Sequence, residues 1–151
     1  MMDKNALVGR CGLYCGACVI YRAERDDPEW QKRLAEHFKC PPEKVSCQGC
    51  GALTPNCWGN DCEMVKCLDE RGYQFCYECS EYEAKTCDKF EEIWKRYSEE
   101  DSVDLRKNLS RIKEGKVEEW LKESEKLYTC PHCGKPITTG AKKCHHCKQQ
   151  L

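Results

Sequence analysis

Cys11-Gly-Leu-Tyr-Cys15-Gly-Ala-Cys18-Val-Ile-Tyr21 places three thiols within one short stretch, spaced C-x3-C-x2-C, ahead of an apolar run. Such spacing lets several sulfurs from one tight turn converge on a single metal, with Gly12 and Gly16 freeing the backbone to curl round it. The same grammar recurs in Cys47-Gln-Gly-Cys50, Cys76-Tyr-Glu-Cys79, Cys130-Pro-His-Cys133 and Cys144-His-His-Cys147. The chain reads as one folded around metal rather than around oil.

Composition points the same way. Of 151 residues, 16 are cysteine, and without them the apolar fraction drops from 40% to about 29%. Leu, Ile, Val and Phe together make about 15%, too little for a large core, yet the net charge of −1 is not that of a disordered chain. A chain short of core compensates with cross-links. The first residues, Met1-Met2-Asp3-Lys4-Asn5-Ala6-Leu7-Val8, hold no apolar run long enough for a signal peptide, so the expected location is cytoplasmic, in a reducing compartment. There, repeated C-x2-C pairs suit metal better than disulfides. No apolar stretch is long enough to span a membrane. Four sites of four thiolates would carry the charge from −1 to about −9, which argues against general affinity for nucleic acid.

Three regions follow from the pattern. Residues 1–97 form a cysteine-rich, metal-binding head. Within it the sequence predicts a short helix from Cys18 through Tyr21 to Ala23. A second is capped by Asp27-Pro28 and carries Trp30, Leu34 and Phe38. A third is expected over 61–71 before Gly72. Ser80-Glu-Tyr-Glu83 reads as a capping box opening a longer helix with Phe90, Ile93, Trp94 and Tyr97 on one face. Residues 98–127 are a helical connector: Ser102 can cap a helix with Leu105, Leu109 and Ile112, Gly115 breaks it, and Val117, Trp120, Leu121 and Leu127 mark another. These apolar faces need partners, so head and connector are expected to pack together. Residues 128–151 have two C-x2-C knuckles with ten residues between Cys133 and Cys144, the signature of a zinc ribbon. The expected fold is thus a small, metal-stapled, α-rich irregular domain with short helices, plus a C-terminal β zinc ribbon.

The chain resembles the cysteine-rich domain of unknown function numbered 3795, found in anaerobic bacteria and archaea. The residues that carry the resemblance are Cys11-Gly-Leu-Tyr-Cys15 with Cys18 and Tyr21, Cys47-Gln-Gly-Cys50, Cys62-Glu-Met-Val-Lys-Cys67, Cys76-Tyr-Glu-Cys79-Ser-Glu-Tyr and Cys87. The connector from Asn108-Leu109 through Val117-Glu-Glu-Trp120-Leu121 and the appended ribbon also look like longer members. Many relatives have proline before the cysteine that matches Cys87, where this chain has Thr86. Cys40 and Cys57 fall outside the family pattern, as additional ligands or as spare thiols. The resemblance implies a metal-binding protein and no settled activity.

The expected metal ligands are therefore Cys11, Cys15, Cys18, Cys47, Cys50, Cys62, Cys67, Cys76, Cys79, Cys87, Cys130, Cys133, Cys144 and Cys147, with Cys40 and Cys57 as further candidates. Zinc in three to four closed sites is the first reading. One pairing would join Cys47 and Cys50 to Cys62 and Cys67. An iron–sulfur cluster in the head is the alternative, because radical S-adenosylmethionine enzymes also use C-x3-C-x2-C. Those enzymes usually have an aromatic residue where this chain has Ala17, and they need a far longer barrel. Of the four histidines, His132, His145 and His146 fill variable positions of the knuckles, and His37 sits beside an apolar stripe. No Ser-His-Asp or Cys-His arrangement and no phosphate-cradling loop is legible. A non-enzymatic adaptor with a protein partner is expected. Lys135, Lys142, Lys143 and Lys148 make the basic ribbon the expected contact and leave nucleic acid as the weaker choice, because no aromatics are interleaved with them. The rival is thiolate or iron–sulfur chemistry in the head: redox sensing, electron transfer, metal handling or alkyl transfer.

Overall fold

The structure, a computed structural model, describes residues 4–50, 58 and 62–151. Among the described residues the elements are seven α-helices and short 3-10 turns: α1 Val19–Asp26, α2 Pro28–Phe38, α3 Glu63–Arg71, α4 Ser80–Glu83, α5 Asp88–Asp101, α6 Leu105–Lys113 and α7 Val117–Leu127. Among the described residues no helix is long and apolar enough to cross a membrane.

Local chemistry explains most of the boundaries. Asp27 caps α2, its carboxylate accepting from the N–H groups of Glu29 (3.1 Å) and Trp30 (3.3 Å), with Pro28 at the first helical position. Gly72 closes α3 in the left-handed conformation at φ 75°. Two expected starts move. Ser80 opens only the four-residue α4; the chain turns at Lys85, and the long helix begins afresh after Cys87. Ser102 instead terminates α5 at φ 57°, and Asp104 caps α6, because a carboxylate accepting from Arg106 and Lys107 holds the helix end more strongly than a hydroxyl.

The main core joins the head and the connector. Val8, Leu68, Phe90, Leu105, Leu109 and Trp120 are its buried centre, with Ile93, Trp94 and Tyr97 packed against it. Phe90, Leu105 and Leu109 are wholly buried, each contributing roughly 1.5–3 kcal/mol of burial free energy. The N-terminal turn is pinned to this core: Gly9 N–H donates to Leu13 O (2.8 Å), and the Asn108 amide donates to Gly12 O (2.9 Å). Gly12 has φ 98°, and a Cβ there would lie 2.7 Å from Leu105 O, so both conformation and space demand glycine.

A smaller cluster of Ile20, Ala35, Val45 and Cys47 holds α1 against α2. The expected stripe on α2 is only partly interior. Ala35 is its buried residue because a small side chain lets α1 approach, while Phe38 stays 41% exposed against the Trp58 ring.

The C-terminal region differs from expectation. Among the described residues there is no strand, only three isolated antiparallel bridges, two of them in the tail at Thr129↔Pro136 and Lys143↔Gln150. Each knuckle is too short to extend its arms past one bridge, and Pro136 has no N–H to continue a ladder.

Candidate metal centre

Residues 128–151 fold one motif twice. Cys130 N–H donates to Lys135 O (2.8 Å) and Gly134 N–H to Cys130 O (2.9 Å); Cys144 N–H donates to Gln149 O (2.9 Å) and Lys148 N–H to Cys144 O (3.0 Å). The first sulfur of each knuckle accepts a backbone N–H, from His132 and from His146, both at 3.4 Å. Gly134 and Lys148, equivalent in the two copies, share positive φ of 75° and 66°.

The duplicated turn brings the Sγ atoms of Cys130, Cys133, Cys144 and Cys147 within 4.8 Å of one another. Cys130–Cys147 and Cys133–Cys144 are each 3.7 Å apart. An ion held tetrahedrally at about 2.3 Å from each sulfur would have S–S edges of about 3.8 Å, so the four residues fit a mononuclear thiolate site. The apo thiols do not ionise alike. Burial opposes charge on Cys144, but the N–H groups of Cys147 and His146 and the adjoining thiols pull it down to about 7. Cys147, although helped by the Gln149 N–H, is pushed up to about 11 by burial and by bonding to the other sulfurs. Four thiolates this close need a cation among them.

In the head the thiols gather in two looser groups. Cys15 and Cys50 meet, with the Cys50 N–H donating to Cys15 Sγ at 3.3 Å. Cys18 interacts electrostatically with both, and Cys11 with Cys50. Cys50 is lowered to about 7 by its bond with Cys15, against its burial, and by the Arg10 N–H and charge. Burial pushes Cys11 far above the ordinary thiol range, and Cys50, Cys76 and Cys62 add to it. Gly49 makes the approach feasible at φ 106°, where a Cβ would come within 2.0 Å of Ala6 O.

The second group is Cys67, Cys76, Cys79 and Cys87, which line one cavity of about 20 Å³, room for a single small ion or water. Arg71 donates to Cys79 Sγ at 3.2 Å and pairs with Glu81. Burial raises Cys76 to about 12, with Cys87, Cys67, Cys79 and Cys62 adding to it. Cys62 thus interacts electrostatically with both Cys11 and Cys76. Cys18, Cys62, Cys79 and Cys87 all occupy helix N-cap positions, ahead of α1, α3, α4 and α5, and burial pushes the Cys18 thiol up. Among the described residues, no other four thiols converge as tightly as those of Cys130, Cys133, Cys144 and Cys147.

This grouping differs from the expected union of Cys47 and Cys50 with Cys62 and Cys67. Cys50 goes to the N-terminal motif and Cys67 to the 76–87 segment. Cys47 and Cys40 pack instead in or against the apolar cluster of α1 and α2, and Gly49 N–H donates to Cys47 Sγ at 3.4 Å. Cys57 lies outside the described residues. Reading by cysteine spacing passed over the arginines. Arg71 stands four residues after Cys67, on the same helical face, which was a legible signal. Arg10 reaches Asp69 (2.9 Å) and the carbonyls of Gln74 and Tyr73, tying the first thiol group to the second.

A family model described as "Protein of unknown function (DUF3795)" matches residues 7–92, more than half of the chain. No curated protein and no solved structure matches it.

Proposed function

The chain belongs to the DUF3795 family, and from that premise and its sulfur geometry we propose a non-enzymatic, zinc-binding interaction module. The observation that carries the reading is the ribbon quartet. Its 3.7 Å sulfur spacings suit one tetrahedral ion, and four sulfurs leave that ion no position for substrate. Such a site stabilises a surface rather than performing chemistry. The setting we favour is reducing and cytoplasmic, where repeated C-x2-C pairs suit metal better than disulfides. The partner we favour is a protein that meets the ribbon. Lys135, Lys142, Lys143 and Lys148 supply its positive charge without the interleaved aromatics that would favour nucleic acid.

One observation favours a second reading for the head. The thiols of Cys67, Cys76, Cys79 and Cys87 lack the tight convergence that a single ion demands, and a cluster spreads its thiolates over several irons; to take one, the cavity of about 20 Å³ that they line must widen. Elemental analysis and a visible spectrum of protein purified without oxygen test both readings. A colourless protein with three to four zinc ions supports the module. Iron with sulfide and absorbance from a thiolate-bound cluster would assign the head to electron transfer or sensing instead. Loss of all metal from the ribbon thiols would sink the first reading.

A further inference from the structure

The ribbon meets the head through groups that its thiolate site does not use. Thr139 N–H donates to Ala17 O at 2.9 Å, and the Tyr14 and Tyr128 rings stack at 6.0 Å. Asp26, the last residue of α1, directs Oδ2 at two neighbouring histidines of the second knuckle. His145 Nε2 lies 2.8 Å from it and His146 Nε2 3.4 Å. The three side chains are 13–17% exposed, and their ligand atoms all lie within 4.8 Å of one another.

Two features exceed what simple docking requires. One hydrogen bond, from His145 to Asp26, would hold the ribbon. The adjacent imidazole is nevertheless drawn to the same oxygen, its ring centroid 4.0 Å from that of His145. His146 Nε2 is buried without a hydrogen-bond partner, which costs free energy unless another species satisfies it. Arg22 Nη1, 3.7 Å from Asp26 Oδ2, is the opposing charge that any cation must outcompete, and its own Nε is likewise unpartnered.

We propose that Asp26, His145 and His146 form a second kind of metal site, a two-histidine, one-carboxylate set that takes a divalent transition metal such as zinc and clamps the ribbon to α1. Two imidazoles and a carboxylate suit such ions in a way that the thiolate sites do not select, and three protein ligands leave a coordination position for water. Neither histidine belongs to the C-x2-C ligand pattern. Both are placed by it, since Cys144 and Cys147 flank them and His146 N–H is bonded to Cys144 Sγ.

The test uses the full chain with its thiolate sites already loaded and counted, so that a defect in the ribbon is recognised separately. Zinc is titrated into this protein by calorimetry. One further ion per chain is expected, and its affinity should fall at least about 100-fold in Asp26→Asn and in His146→Gln, since loss of even outer-shell partners costs about 10–100-fold. Both variants should retain the thiolate-bound metal. Nickel gives an independent readout, because the Trp30 ring lies 4.9 Å from that of His145. A bound paramagnetic ion should quench fluorescence that Trp30→Phe removes. No additional ion on the loaded wild type, or an additional ion that survives both substitutions, overturns the proposal.

Discussion

The C-terminal segment, 128–151, called the ribbon for its two knuckles, and the head use the same two-residue cysteine spacing to different ends. In the ribbon, Cys130-Cys133 and Cys144-Cys147 sit on two copies of one turn, each with its own N–H···S bond, and the four sulfurs converge without help from a core. In the head, Cys47-Cys50 is split: Cys50 turns to Cys15, while Cys47 lies in an apolar cluster. Cys76-Cys79 finds Cys67 and Cys87 from α3 and the start of α5. A knuckle is thus a local object, whereas a pair without a nearby twin takes partners from wherever the core places them.

The comparison is broken most severely by removing a ribbon ligand. Cys130→Ser should release one metal ion and unfold residues 128–151, because thiolate-bound zinc contributes on the order of 10 kcal/mol of apparent folding free energy. Helical circular dichroism should persist, since no ribbon residue belongs to the main core. Hydrogen exchange read by segment would show whether the two regions separate in this way. The reciprocal change is Leu109→Ala. It should cost about 2–5 kcal/mol in a denaturant melt and expose the thiols of the second head group, leaving the ribbon ion in place.

A sharper probe is Gly12→Ala. It combines positive φ with a Cβ 2.7 Å from Leu105 O, so about 1–3 kcal/mol of destabilisation is expected, with thiol reactivity rising at Cys11 and Cys15 before any change in the ribbon. Uniform reactivity across all thiols would refute the local character of that turn. The smallest effect is expected of Asp27→Ala. Loss of the α2 cap should lower the melting free energy by about 1 kcal/mol with the metal content unchanged.

The residues that were legible in advance share a short physical range. Asp27-Pro28 announced α2, Gly72 the end of α3, and Cys130 to Cys147 the four-cysteine cluster, because each acts within a few residues of itself. Ser80 and Ser102 misled because a residue suited to capping does not fix the register of the helix start; Cys79 precedes α4 without a side-chain cap bond, and the Asp104 carboxylate caps α6. Phe38 misled because periodicity shows an apolar face but not which residue on it meets a neighbouring helix.

By itself the sequence determined that sulfur would organise this chain, that the tail would close on four thiols, and where most helices run. Spacing and capping act through bonds of the chain's own local geometry. Only the tertiary structure decided that Cys50 would meet Cys15, that Cys67 would share a cavity with Cys76, Cys79 and Cys87, and that Asp26 would face His145 and His146. Those juxtapositions join residues from about 10 to more than 100 positions apart, and burial and packing of a common core set them, not the spacing of any motif.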